Sequence, residues 1–127
     1  MSSSKIQLGT TGEEAAVAFL RKRGYRIVDR NVRTKFGEID IVALDKGVVC
    51  FIEVKTRRSD AFGSPADALS LRKQRHLSKA ALAYIKQKHL TEKDARFDLV
   101  GIIQDEQGAV TIDIVPDAFA LSSPYAY

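Results

Sequence analysis

Five apolar residues in a row, Val48-Val49-Cys50-Phe51-Ile52, follow directly on Asp45-Lys46-Gly47 and end on Glu53-Val54-Lys55. A β-branched and aromatic run opened by a turn signal reads as a buried strand, and the turn makes it one arm of a hairpin with Glu38 to Asp45. If Lys46-Gly47 is a two-residue turn, Asp45 pairs with Val48, and counting back along the ladder sets Asp40 opposite Glu53. A three-residue loop with a bulge at Gly47 would slip the register by one and send the two acids to opposite faces. Glu53 and Lys55, two residues apart on a strand, share one face. Charges closing an apolar strand are costly to desolvate unless they are paired or metal-bound.

The rest of the chain supplies the elements that must cover this hairpin. Thr11-Gly12-Glu13-Glu14 reads as a capping box opening a first helix, with Ala15, Ala16, Phe19 and Leu20 on its apolar stripe and Gly24 just past its end. Tyr25 to Arg33 alternates as a half-exposed strand, with Tyr25, Ile27 and Asp29 on one face. Arg57 to Ala66 is loop-like, and Ser64-Pro65 marks a turn within it. Ser70 caps a second helix from about Leu71 to Lys88, with Leu77, Ala80, Ala81, Tyr84 and Ile85 inward. Phe97 to Ile103 and Val110 to Val115 form a last strand pair. Beyond Pro116 the pattern is ambiguous. The order α-β-β-β-α-β-β predicts an α/β fold in one domain over residues 1–127, its core about 9–115, with a mixed central sheet flanked by both helices.

Charge is distributed unevenly along the 127 residues. Residues 1–93 hold 19 Lys/Arg against 10 Asp/Glu, whereas residues 94–127 hold one Arg against six acids. A basic face of this kind fits a polyphosphate partner, although Lys-rich helices are often merely solvated. No apolar stretch reaches the roughly 18 residues of a membrane span, so no membrane partner is expected. One cysteine, Cys50, inside an apolar strand points to a core residue in a reducing, cytoplasmic setting. His76 and His89 are too far apart to pair on a helix, and no zinc spacing, phosphate-binding glycine loop or Gly-x-Ser-x-Gly is present.

Two carboxylates and a lysine converging on neighbouring strands suit phosphodiester hydrolysis with Mg²⁺ or Mn²⁺. The metal binds through one or two carboxylates plus phosphate oxygens and waters. Asp40 and Glu53 are the candidate metal ligands, with the backbone carbonyl of Val54 between Glu53 and Lys55 as a neutral third. Lys55 would orient water or neutralise phosphate. The competing reading is a cross-strand salt-bridge cluster. Glu38 shares the Asp40 face but equally suits the solvated start of a strand. Arg33, Lys35, Arg57 and Arg58 at strand ends or loops are candidate phosphate contacts, as are Lys73 and Gln74, which open the second helix where its N-terminus favours anions. Asp98 is expected to pair with a basic neighbour.

Gly9-Thr-Thr-Gly12-Glu-Glu14-Ala-Ala16, Gly24-Tyr25, Asn31-Val-Arg33, Gly37-Glu38-Ile-Asp40-Ile-Val-Ala43, Phe51-Ile-Glu53-Val-Lys55-Thr-Arg57, Gly63-Ser-Pro65, Lys73 and Arg96-Phe-Asp98 resemble, in order, the YraN-like uncharacterised bacterial family. That group is similar to the Holliday-junction-resolvase-like branch of the PD-(D/E)xK superfamily. The resemblance implies the restriction-endonuclease-like αβββαβ core and a site of Glu14, Asp40, Glu53 and Lys55, Glu14 being carried over as the first-helix glutamate. Ile39 stands where the superfamily's proline would precede Asp40. The expected function is a divalent-metal-dependent endonuclease hydrolysing phosphodiester bonds in nucleic acid, DNA before RNA, including branched or flapped structures. A homodimer is implied only by analogy with the resolvases. The alternatives are a catalytically silent nucleic-acid-binding or interaction module on the same fold, and an RNA nuclease.

Overall fold

The computed structural model describes residues 8–58 and 69–120, with side chains from Gly12 onward. Within them the chain forms α1 (Leu8–Lys22), β1 (Arg26–Thr34), β2 (Gly37–Asp45), β3 (Val48–Arg58), α2 (Leu71–Gln87), β4 (Ala95–Gln104) and β5 (Val110–Phe119). The strands form one mixed sheet in the order β1-β2-β3-β4-β5. Neighbours are antiparallel except β3 and β4, which run parallel because α2 carries the chain back between them.

A helix lies on each face. The α1 residues Ala16, Val17 and Leu20 pack with Tyr25 on Ile41, Ala43, Cys50, Ile52, Val100 and Ile102. The α2 residues Leu77, Ala80, Ala81, Tyr84 and Ile85 pack on Val42, Val49, Phe51, Phe97 and Leu99. Apolar cover on both sides is why β3 reads as an unbroken apolar run instead of an alternation. Cys50 is a buried core residue of this sandwich, and burial pushes its thiol up to about 12, so it is no nucleophile.

The hairpin takes the two-residue form. Lys46 and Gly47 both have positive φ, 52° and 86°, as a type I′ turn requires, and Asp45 pairs with Val48. Ser70 caps α2 as expected, its side chain accepting from the Lys73 amide at 3.1 Å. Helix α1 ends at Lys22 with Gly24 as its C′ residue, the amide of Tyr25 reaching back to the Leu20 carbonyl at 3.0 Å.

Three boundaries and one register differ from the sequence reading. Helix α1 begins at Leu8, so Thr11 is already helical and the capping box does not open the helix. The strand β1 is bulged between Ile27 and Asp29, which puts Ile27 with the α1 layer but sets Asp29 opposite Val42, on the α2 face. The strand β3 continues through Arg57 and Arg58, held by the β4 ladder as far as Gln104. The strand β5 extends past Pro116 to Phe119, which an edge strand permits because its outer amides have no partner to lose. The Ser64-Pro65 turn and residues 121–127 lie outside the described residues.

Candidate metal-binding carboxylate site

The β2–β3 ladder runs from Asp45↔Val48 to Ile41↔Ile52. Beyond that pair a side chain takes over from the backbone: the Val54 amide donates to Asp40 Oδ2 at 2.8 Å. That bond fixes one carboxylate oxygen, and the Asp40 carboxylate also lies within hydrogen-bonding reach of the Glu53 side chain. Val42 and Phe51 pair and face α2, Glu53 reaches Lys73 of α2, and Asp40 lies beside Glu53.

Glu53 is buried, its side chain only 7% exposed, and its Oε2 lies 3.2 Å from Lys73 Nζ. Burial pushes its pKa up, and the neighbouring Asp40 carboxylate pushes the same way. Lys73 pulls back only in part, so the group titrates at about 7 instead of 4.5. A carboxylate held this far from its ordinary range in a polar cluster is what a cation-binding or proton-handling centre needs. Lys55 follows two residues along β3 on the same face, half-buried. Its ladder neighbour on β4 is Gly101, which brings no side chain to crowd it.

The centre therefore brings together Asp40, Glu53 and Lys73, with Lys55 two residues along β3 from Glu53. Lys73 was expected only to meet phosphate, yet among the described residues it is the cation paired with Glu53. Asp40 and Glu53 present hard oxygen donors side by side, with Lys73 against Glu53 and the Val54 carbonyl in the same stretch of strand. This donor set fits Mg²⁺ or Mn²⁺. Among the described residues no group of three or more His, Cys, Asp or Glu gathers into a ligand set, so waters and substrate oxygens would complete the coordination.

Glu14 is not brought to this pair. It is 61% exposed, and its Oε1 accepts from Arg30 Nη2 at 3.0 Å. Arg30 pairs with Ile41, which places it on the α1 face. Its neighbour Glu13 is the helix acid turned inward. Glu13 Oε1 is buried with no hydrogen bond, and Arg30 Nη2 is 3.8 Å away. A Cβ on Gly12 would stand 3.0 Å from Thr56 Oγ1, so α1 abuts β3 three residues beyond Glu53. The sequence does hold that signal, a glycine immediately before the acid, but the Thr-x-x-Glu pattern obscured it.

The remaining candidates lie around the rim. Arg33 is exposed, its Nε 3.6 Å from Glu38 Oε2. Lys35 Nζ sits 5.2 Å above the Phe36 ring. Arg57 and Arg58 occupy the end of β3. Gln74 spends its amide on the Leu69 carbonyl at 2.9 Å, fastening the start of α2.

A second charged cluster lies at the hairpin end of the sheet. Buried Asp98 accepts from Tyr25 Oη at 2.9 Å, from Arg96 Nε at 3.0 Å and from the Asp117 amide at 2.8 Å, while Arg96 Nη2 also reaches Asp45 Oδ2 at 2.7 Å. Burial and Asp98 push the Tyr25 hydroxyl up to about 12. A cavity of about 510 Å³ opens beside these groups, but they satisfy one another. The cluster ties β1, β2, β4 and β5 together, and Asp98 has the basic partner expected of it. His76 and His89 are exposed.

Fold and site together define a mixed α/β protein with an acidic pair and two lysines at the point where β2 and β3 part. The chain belongs to the Uncharacterised protein family UPF0102, the YraN-like group its motifs resemble, matching it over residues 12–102. It is similar to the UPF0102 proteins of Trichlorobacter lovleyi (47% identical over 116 residues, 91% of both chains) and Geotalea uraniireducens (46% over 115 residues, 91% of both). The UPF0102 protein of Syntrophus aciditrophicus is 42% identical over 120 residues, 94% of both chains. Among the described residues no helix is long and apolar enough to cross a membrane.

Proposed function

We propose that this protein is a divalent-metal-dependent endonuclease of the PD-(D/E)xK, restriction-endonuclease-like superfamily, hydrolysing phosphodiester bonds in DNA, including branched or flapped structures. The observation that carries the reading is buried Glu53 beside Asp40, its ionisation opposed by that neighbour and only partly restored by Lys73. The order of elements supports it: three antiparallel strands, a helical crossover, then a parallel fourth strand.

In this reading Asp40, Glu53 and the Val54 carbonyl hold Mg²⁺ or Mn²⁺. The bound ion supplies Lewis-acid activation of a water and of the phosphate. The Val54 amide keeps Asp40 oriented, and burial keeps bulk water from Glu53. Lys55 offers its ammonium beside the carboxylates, where it neutralises charge developing on the phosphate or aligns the attacking water. Lys73 holds the metal-free pair together and, once exchanged for a cation, is placed to meet a phosphate oxygen. A nucleic-acid substrate would place the protein in the cytoplasm, in keeping with a reduced Cys50.

The second reading, a nucleic-acid-binding module without turnover, is favoured by the Lys73 ammonium standing against Glu53. The test is purified protein with Mg²⁺ or Mn²⁺ against linear, flapped, single-stranded and four-way DNA and RNA, beside Asp40→Asn and Lys55→Ala. Metal-dependent cleavage lost in both variants is expected. Cleavage that survives both sinks the proposed site, and salt-sensitive binding without cleavage establishes the second reading.

A further inference from the structure

Helix α2 carries Arg72, Lys73, Arg75, His76, Lys79 and Lys86 and no acid along its whole length. Its buried side is the stripe of Leu77, Ser78, Ala80, Ala81, Tyr84 and Ile85. Arg72, Arg75 and Lys79 stand at spacings of three and four, so they line one outward face. All three are exposed, while Lys73, one position on, is half-buried and reaches Glu53. The outer face therefore begins one residue from the cation inside the carboxylate centre.

The turn between β1 and β2 extends this surface. Phe36 is half-buried in the α2-side core, and its ring is approached by Lys35 Nζ at 5.2 Å and by Lys79 Nζ at 6.0 Å. The ring sits between two ammonium groups, one from the turn and one from the helix. It is thus covered as a base-stacking platform, and among the described residues no other aromatic ring is approached by a cation of this row.

We propose that the acid-free outer face of α2, with Lys35 of the β1–β2 turn, docks the sugar–phosphate backbone of double-stranded nucleic acid and leads it to the Asp40–Glu53 pair. Arg72 and Lys79 are separated by about 10 Å along the helix axis, a length over which a duplex offers about three phosphates per strand. A row of cations that among the described residues has no exposed ring beside it suits a stacked duplex, whose bases are hidden, better than a single strand, whose affinity leans on stacking. Position on the same face as the carboxylates favours a polynucleotide over an anionic lipid surface. This inference rests on reading the carboxylate site as one for phosphodiesters.

The test measures binding with cleavage removed. Fluorescence anisotropy of a labelled 20-base-pair duplex is followed across salt concentrations in EDTA, with Asp40→Asn as background. Arg72→Gln/Lys79→Gln is compared with Arg21→Gln/Lys22→Gln, which removes two cations at the end of α1 on the other face. The α2 pair should lose about two in the slope of log K against log salt, and at least tenfold in affinity near 0.1 M salt. The α1 pair should bind as the background does. Equal losses from both pairs, or none from the α2 pair, overturn the proposal. So does loss of binding to phosphatidylserine vesicles by the α2 pair with duplex binding intact. If the parent protein binds duplex through α2 but cuts nothing with Mg²⁺ or Mn²⁺, the docking surface stands and the catalytic reading falls.

Discussion

Replacing Glu53 with Gln should make the protein more stable at alkaline pH and leave it nearly unchanged in acid. Glu53 is buried, and its pKa is raised from 4.5 to about 7, by burial first and by Asp40 second, with Lys73 opposing. A folded-state pKa above the unfolded value means that the folded protein holds its proton more tightly. The associated stability is fully present below pH 4.5 and is lost as pH rises through 7. At 1.36 kcal/mol for each tenfold change in proton affinity, ionised Glu53 costs the fold about 3 kcal/mol at pH 8. Glutamine copies the protonated carboxyl in shape and carries no charge at any pH, so Glu53→Gln should recover most of that amount. For a chain of this size the gain corresponds to roughly 10 °C in melting temperature. Thermal melts of both proteins in EDTA from pH 4 to pH 9 provide the assay. The curves should coincide near pH 4, diverge between about 4.5 and 7, and run parallel above. Saturating Mn²⁺ should then raise wild type at pH 8, through ligand linkage, and leave Glu53→Gln unmoved. A melting difference that is absent at pH 8, or the same at every pH, would refute the placement of a reluctantly ionised carboxylate at the centre of the site.

Lys73→Gln removes the one group drawing the Glu53 pKa down, so a ¹³C NMR titration of the Glu53 carboxyl in metal-free protein should end above the wild-type value, whereas Lys73→Arg should leave it nearly in place. Asp98→Ala strips the partner from the Arg96 guanidinium and from the Tyr25 hydroxyl, and should cost about 3–5 kcal/mol in urea unfolding. A loss under 1 kcal/mol would mean that the cluster is not what ties these strands. Lys46→Asn relieves a side chain held at φ 52° and should add roughly 0.5–1 kcal/mol in the same assay, leaving metal-dependent behaviour untouched.

The features legible in the sequence are those fixed by neighbours in the chain. Two turn residues decide the β2–β3 register, so the pairing of Asp45 with Val48, and with it the approach of Asp40 to Glu53, follows from Lys46-Gly47. Ser70 announces the start of α2 because a cap is a local bond. The features that escaped are set by non-local packing. The bulge between Ile27 and Asp29 depends on how β1 meets β2, and it moves Asp29 to the α2 layer, where Tyr84 Oη reaches it at 3.5 Å. Which acid of Glu13-Glu14 turns inward depends on the rotation of α1, which its contact between Gly12 and Thr56 fixes.

Lys73 carries the same lesson into function. A sequence can mark Arg72, Lys73 and Arg75 as basic residues on the first turns of a helix, but only the docking of α2 on β2 and β3 separates one from the others. Once α2 lies with Leu77, Ala80 and Ala81 on the sheet, Lys73 is on the flank nearest Glu53 while Arg72 and Arg75 are directed to solvent. One helical turn thus supplies a counter-charge that makes a buried carboxylate pair tolerable and, beside it, cations that suit a polyanion. The inward lysine offsets part of the repulsion between Asp40 and Glu53 before any metal arrives, and a pair left without it would be harder to fold in the ionised form. If Asp40 and Glu53 held a divalent cation, its charge would take over the role of that ammonium and leave Lys73 available beside the outward row. On the proposed function, metal binding and substrate docking would be adjacent events on α2, and Arg72→Gln/Lys79→Gln should weaken duplex binding while leaving Mn²⁺ affinity measured by calorimetry unchanged.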